Sequence, residues 1–243
     1  MCYTDSPINR KHGFHIIENV INTDTELELH KYISELIVAN EDESKKIISG
    51  RESLHYGYTF DFKQLKPDND NLPDPIPDKI KTVIDTVLEE HTELADWDYN
   101  QITINRYQTG DKIKSGIGSH VDTHSVFDDK IVVISLDEPT CMIFELPHNF
   151  KKTDKHTELS KRADLWLKPR SLMIMSGISR YLYKHRIPHR KTDIDSDGNI
   201  VKRGVRTSIT IRKVTLDGTC DCDYPIVCDY QNPSSLVLPT RLG

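Results

Sequence analysis

Past Asp98 the chain is cut into short segments of β-type alternation: Gln101–Tyr107, Ile131–Leu136, Cys141–Leu146, Asp164–Lys168, Ser171–Ser176, Arg180–His185 and Val205–Val214. Gly, Pro, Asn and Asp turns separate them. Strand follows strand without intervening helices, which predicts an antiparallel double sheet, closer to a sandwich than to α/β alternation.

Helices are expected only upstream. Residues 23 to 46 open on the capping types Thr23 and Asp24 and set Leu29, Ile33, Leu36 and Ile37 at helical spacing. A second helix fits Asp78 to His91, with Pro77 ahead of it and Ile80, Val83, Ile84, Val87 and Leu88 on one stripe. Between them Tyr56, Tyr58, Phe60 and Phe62 alternate along a strand, whose aromatic face suits packing on a helix and base stacking equally well. Asp68 to Pro77 and Thr192 to Asn199 read as loops, and Tyr230 to Gly243 as a poorly ordered tail. There is no internal repeat and no low-complexity segment.

With 36% hydrophobic residues among 243, the chain can bury a substantial core, which excludes chain-wide disorder. Its formal charge of −6 gives no global attraction to nucleic acid, so any basic patch must be local. No apolar run approaches the roughly 20 residues that span a bilayer, and Met1 to Phe14 lacks the apolar stretch of a signal peptide. The expectation is a soluble intracellular protein of the cytoplasm or nucleus with no membrane partner. Five cysteines is an odd number, and Cys220, Cys222 and Cys228 crowd together. In a reducing compartment, metal ligation explains them better than disulfides.

His120 and Asp122 flank a single residue, so on an extended segment both side chains point to the same side. A third ligand could be His185. Two histidines and a carboxylate on one face of a metal leave open positions, the arrangement of non-haem Fe(II) oxygenases. His-x-Asp with a distant His is common by chance, and the last strand sharpens it. There Arg206, Ser208, Thr210 and Arg212 share one face, while Val205, Ile209 and Ile211 take the other. Two arginines aimed into a small barrel cost several kcal/mol unless an anion meets them. A dicarboxylate co-substrate would be that anion, and Asn105 and Tyr107, alternating on their own strand, can donate hydrogen bonds to it. Pairing with a protein carboxylate explains either arginine alone, but the set favours a ligand.

Three thiolates from Cys220, Cys222 and Cys228 lack the fourth ligand of a tetrahedral zinc site. His124, two residues beyond Asp122, is a candidate if the tail folds back on the sheet. Three free thiols in a turn around Pro225 is the plainer explanation.

Asn105-Arg106-Tyr107 with Gly110, His120-Val121-Asp122, Ser135-Leu136, Ser171-Leu172, Met175-Ser176-Gly177, Arg180-Tyr181 with His185 and Ile187, and Arg206 to Arg212 occur in this order. The series resembles the AlkB family of Fe(II)- and 2-oxoglutarate-dependent dioxygenases, closely from Asn100 to Val214 and loosely before. The resemblance implies a mainly β fold with flanking helices around a double-stranded β-helix core of jelly-roll or cupin type. It implies iron held by His120, Asp122 and His185. It also implies 2-oxoglutarate clamped by Arg206, with Asn105, Tyr107, Ser208 and Arg212 as further contacts; Ser208 stands where many members carry Asn.

His120 to His124, Lys202 to Ser208, Thr210 to Val214 and the cysteine run ending at Asp229 narrow the resemblance to the branch that hydroxylates the wobble uridine of tRNA. That branch implies zinc bound by His124, Cys220, Cys222 and Cys228, where repair-type members tend to carry an acidic residue in place of His124. The expected organisation is an oxygenase domain over residues 1–217 and a Cys-rich zinc-binding tail over 218–243 packed on it. The branch carries an RNA-recognition module before this domain and a methyltransferase after it. At 243 residues the chain is expected to leave those roles to separate chains or to lack them.

From Arg180 to Lys213 ten basic residues face three acidic ones, about +7 in a chain of −6, so phosphate contact on this stretch is plausible. A solvated surface with two internal arginines explains the count nearly as well. The expected reaction is hydroxylation of a carboxymethyl-type uridine in a tRNA anticodon loop. Oxidative demethylation of N-alkylated bases in RNA or DNA is the second reading. A catalytically silent RNA- or protein-binding module is the third, and the intact triad and Arg206 count against it.

Overall fold

The computed structural model describes residues 12–40, 50–58, 60–61, 66–67, 73–151 and 159–235. Ten strands build two facing antiparallel sheets. They are β1 (Phe14–Ile17), β2 (Arg51–Gly57), β3 (Gln101–Tyr107), β4 (Ile117–His120), β5 (Phe127–Asp137), β6 (Thr140–Glu145), β7 (Arg162–Leu167), β8 (Leu172–Ser176), β9 (Lys184–Ile187) and β10 (Arg206–Val214). The major sheet runs β1-β8-β5-β10-β3-β2 and the minor sheet β7-β6-β9-β4. Helices α1 (Thr23–Ala39) and α2 (Asp78–Glu89) accompany the major sheet. The fold is the expected jelly roll: mostly β, with flanking helices.

Alternation along the major sheet sorts its side chains into two cores. Ile102, Ile104, Val132, Ile134, Ile209 and Ile211 pack with Leu29 and Ile33 of α1 and with Ile80, Ile84, Val87 and Leu88 of α2. Each such side chain contributes about 1.5–3 kcal/mol by leaving water. The opposite face supplies Tyr107, Ile131, Val133, Met173 and Met175 to a second core with Met142, Phe144 and Leu165 of the minor sheet. Strand β10 lies centrally, with Ser208 paired to Asn105 on one side and to Ser135 on the other.

Helix α1 begins where expected, capped by Asn22, whose side chain accepts from the Thr25 N–H at 2.8 Å. It stops at Ala39, short of the expected end; Asn40 caps it with its N–H on the Leu36 carbonyl, and residues 41–46 lie outside the described residues. The expected aromatic strand is divided. Strand β2 ends at Gly57, whose φ of +81° would place a Cβ 2.0 Å from the Asn100 carbonyl oxygen. Tyr56 joins the helix-side core, and Tyr58 packs on Val126, Phe127 and Val214 instead. These two rings therefore form no common stacking face; Phe62 lies outside the described residues.

Two further segments differ from expectation. Arg180–His185 is not one strand: Ile178–Tyr181 is a single helical turn, α3, and extended structure resumes only at Lys184. Gly177 turns the chain at φ +52°, and the Ser179 hydroxyl donates to the Gly13 carbonyl at 2.7 Å, tying the turn to the chain ahead of β1. The loop read over Thr192–Asn199 is part of a hairpin in which Thr192–Ile194 pairs with Ile200–Lys202. Its root is Asp193, with 1% of its side chain exposed. Arg203 donates to both of its oxygens at 2.7 and 2.9 Å, Arg190 to one at 2.7 Å, and the Cys141 N–H at 3.1 Å.

Burial alone would raise the Asp193 pKa, but the Arg203 hydrogen bonds and charge hold it below the usual carboxylate range. A carboxylate depressed in the folded state stabilises the fold above its unfolded pKa of about 4, and that contribution is lost as pH falls through the folded value. Asp193→Asn, which leaves Arg203 buried without its counter-charge, should cost about 3 kcal/mol at pH 7. Its stability should also fall less than wild type between pH 5 and 3, as read by urea unfolding across that range.

Candidate active site

The cleft between the sheets occupies about 410 Å³, and its wall is the polar face of β10: Arg206, Ser208, Thr210 and Arg212. Asn105 and Tyr107 of β3 line it beside them. The face is polar because residues two apart on β10 point the same way, while Ile209 and Ile211 point into the helix-side core.

His120 ends edge strand β4, and His185 lies directly across from it on β9. Asp122 follows in the loop, and one ligand atom from each of the three lies within 4.8 Å of the others. The His120 Nδ1 contacts the Gly118 carbonyl at 2.8 Å; donation of its proton there leaves Nε2 free for a cation. One Asp122 oxygen accepts from Arg212 at 2.9 Å. The other, Oδ2, is buried without a hydrogen-bond partner and stands 3.5 Å from His185 Nε2. Burial would raise the Asp122 pKa, but Arg212 and the two imidazoles outweigh it and hold the carboxyl well below the usual range. Burial and the neighbouring His120 push His185 down to about 3, so its ring is neutral at pH 7. A buried anionic oxygen without a donor, beside two imidazoles, fits a divalent cation that takes nitrogen and oxygen ligands.

Arg206 is 3% exposed. It donates to the Ser135 hydroxyl at 2.9 Å and lies over the Tyr107 ring at 5.5 Å, while its Nε has no partner. Among the described residues no carboxylate pairs with it. Arg212 differs, since Asp122 already meets its charge. Asn105 accepts from the Ser53 hydroxyl at 2.8 Å.

A second donor cluster lies beyond Asp122. His124, Cys220, Cys222 and Cys228 each bring one ligand atom within 4.8 Å of the rest, and His124 Nδ1 is 3.2 Å from the Cys222 sulfur. Burial, then the Arg180 charge, push His124 down to about 4. Burial raises the Cys222 thiol to about 12, so free Cys222 would be neutral, while a soft cation would deprotonate it. The donor set suits tetrahedral zinc.

The structure thus gathers all twelve expected site residues into two neighbouring groups. Sequence reasoning missed Ser135 as the hydroxyl that meets Arg206, and it missed the inward placement of Arg180, whose guanidinium is buried. The basic stretch from Arg180 to Lys213 is also less of a surface than its count suggests. Arg180 and Arg206 are inside, Arg190 and Arg203 meet Asp193, Arg186 meets Glu145, and Arg212 meets Asp122.

The sequence profile of the 2OG-Fe(II) oxygenase superfamily matches residues 21–212, from just ahead of α1 to the Arg212 that holds Asp122. The chain belongs to this superfamily. It is a 2-oxoglutarate-dependent oxygenase of the AlkB kind. It is similar to the tRNA (carboxymethyluridine(34)-5-O)-methyltransferase ALKBH8 of Macaca fascicularis, 33% identical over 236 residues that cover 90% of this chain and 33% of that protein. It is also similar to the alkylated DNA repair protein ALKBH8 homolog of Arabidopsis thaliana, 31% identical over 76% of this chain and 55% of that one. The chain spans about a third of the length of the first relative. Among solved structures, OsALKBH1 superposes with a TM-score of 0.54 at 15% identity, covering 83% of this chain and 98% of that one, a likeness of fold.

A desolvated guanidinium lacking a protein carboxylate should be met by the co-substrate. Arg206→Ala should therefore weaken 2-oxoglutarate binding by about 2–5 kcal/mol, at least thirtyfold in the concentration needed for half-maximal turnover. Arg206→Lys should recover only part, because a point charge replaces a planar fork. An unchanged requirement in Arg206→Ala would remove this role.

Proposed function

We propose that His120, Asp122 and His185 hold Fe(II), that Arg206 receives the far carboxylate of 2-oxoglutarate, and that the enzyme hydroxylates the carboxymethyl-type side group of a modified tRNA wobble uridine. Iron and 2-oxoglutarate, when bound, would supply oxygenase chemistry that consumes O2, one atom entering a substrate C–H bond and the other the succinate left when 2-oxoglutarate loses CO2. The chain supplies placement. Arg212 fixes one Asp122 oxygen and leaves the other toward His185; Gly118 fixes the His120 tautomer; and Tyr107 and Asn105 border the cleft beside Arg206.

The observation that carries the substrate reading is the position of His124. Its ring faces the cysteines and is therefore withdrawn from base recognition, whereas an acidic residue there could read a cationic methylated base. A bound zinc would add positive charge beside the cleft, which favours a substrate bearing carboxyl oxygens. The ALKBH8 relatives named for carboxymethyluridine at position 34 support the same class. The anticodon loop is the partner this reading requires. Oxidative demethylation of N-alkylated bases is the second reading, favoured by the name of the Arabidopsis relative.

Two measurements test these assignments. The purified protein should carry one equivalent of zinc, and Cys222→Ser should release it and lower Tm by about 5 °C, equivalent to about 2 kcal/mol; protein without zinc would return the cysteines to free thiols. Incubation of tRNA and a methylated oligonucleotide with enzyme, Fe(II) and 2-oxoglutarate, followed by nucleoside mass spectrometry, should show one oxygen gained on carboxymethyl-type uridine. N1-methyladenine and N3-methylcytosine should persist. Loss of those methyl groups with unaltered uridine would establish the second reading instead.

A further inference from the structure

Arg180 is 2% exposed, and four of its N–H groups are spent on four main-chain carbonyls of residues 122–128, the loop after β4 and the first residues of β5. Its Nη1 donates to Asp122 at 2.8 Å, its Nη2 to Thr123 and Phe127, each at 2.9 Å, and its Nε to Asp128 at 3.1 Å. No carboxylate contacts it directly among the described residues. A guanidinium taken out of water is costly, and here its return is the shape of residues 122–128 alone. That stretch carries Asp122 of the first donor group and His124 of the second, and its residues 121–126, between β4 and β5, belong to no strand.

The other side of the loop is held by the cysteine segment. Asp229, 8% exposed and adjacent to Cys228, accepts from the main-chain N–H of His124 at 2.6 Å and of Ser125 at 3.3 Å, and also from the Ser125 hydroxyl. Tyr181, next to Arg180, closes the arrangement. Its ring meets His124 edge-on at 5.1 Å, stacks with Tyr224 at 6.5 Å, and lies 4.7 Å from the Arg180 guanidinium carbon. The loop is thus gripped through its carbonyls by Arg180 and through its amides by Asp229, with Asp122 and His124 between them.

We infer that Arg180 and Asp229 are positioning residues that set the main chain of Asp122, so that the seating of the cysteine segment controls the divalent-cation affinity of the His120–Asp122–His185 triad. The inference rests on the triad being a metal site. It assigns to the C-terminal segment a regulatory hold on that site in addition to any structural part. Neither residue touches the cation, and each acts through the backbone that presents Asp122.

The test is Mn(II) titration of the full, zinc-loaded chain, followed by the electron paramagnetic resonance signal of free aqueous Mn(II). Mn(II) suits nitrogen and oxygen donors and has little affinity for thiolates, so it reports the triad. Circular dichroism and zinc content verify that each variant is folded and loaded. Asp229→Ala should weaken Mn(II) binding at least tenfold with zinc retained. Asp229→Asn, whose amide oxygen can still accept from the His124 N–H, should stay within threefold of wild type. Arg180→Lys keeps a charge but cannot reach four carbonyls, and should weaken binding at least tenfold. Folded, zinc-loaded Asp229→Ala and Arg180→Lys proteins with wild-type affinity would overturn the inference. Should Arg180→Lys fail to fold, the Asp229 pair decides alone. Absence of Mn(II) binding in wild type would instead remove the metal reading of the triad on which the inference stands.

Discussion

Everything in this molecule depends on the register of β10. The strand lies between β3 and β5 and is hydrogen-bonded on both sides, with Ile209 and Ile211 committed to one core and Ser208 and Thr210 to the cleft. A slip of one residue would drive Arg206 and Arg212 into hydrocarbon and present isoleucine to the cleft, so the hydrophobic core enforces the chemistry of the opposite face. The same alignment sets Ser208 against Asn105 and Ser135, and Arg206 opposite Tyr107. The polar wall is assembled from three strands whose relative position none of them can change alone.

The cleft shows how charge can be distributed when burial is severe. Asp122 and Arg212 neutralise each other at 2.9 Å, but Asp122 keeps one oxygen without a donor and Arg206, among the described residues, has no carboxylate to meet its charge. One site therefore has room for a cation and, a few side chains along the same face, for an anion. Fe(II) and 2-oxoglutarate, the pair for which the superfamily is named, bring a charge of each sign. Of the buried charges in the cleft it is Arg206 that, among the described residues, lacks the carboxylate that would ordinarily accompany it.

Much of this was legible in the sequence, and the reason is periodicity. Alternation over Val205–Val214 revealed a two-faced strand, and His120-x-Asp122 revealed two ligands on one side, because both features depend only on the extended backbone. The cysteine spacing did the same for the second cluster. What could not be read depends on tertiary contacts. Arg180 sits in a segment whose alternation suggests a strand, but Gly177 and the Ser179 hydroxyl wind it into a turn that aims the guanidinium inward. The hairpin around Asp195 exists because Arg203 and Arg190 bury Asp193, a pairing that no local propensity announces. The positive charge counted from Arg180 to Lys213 misled for the same reason, since a linear sum does not distinguish an arginine inside the sheet from one on the surface.

Strand β4 gives the site a property its central strands cannot share. Among the described residues it has a neighbour on one side only, β9, and the pairing is irregular between His185 and Ile187. An edge strand held by one ladder opens at a smaller free-energy cost than a central strand held by two. His120 stands at the end of that edge, while Arg206 and Arg212 are anchored in the middle of the major sheet. The cation side of the cleft can thus breathe by local fraying at Ile117–His120 while the anion side stays rigid, so amide exchange should be graded across the pocket and ion entry need not await global unfolding.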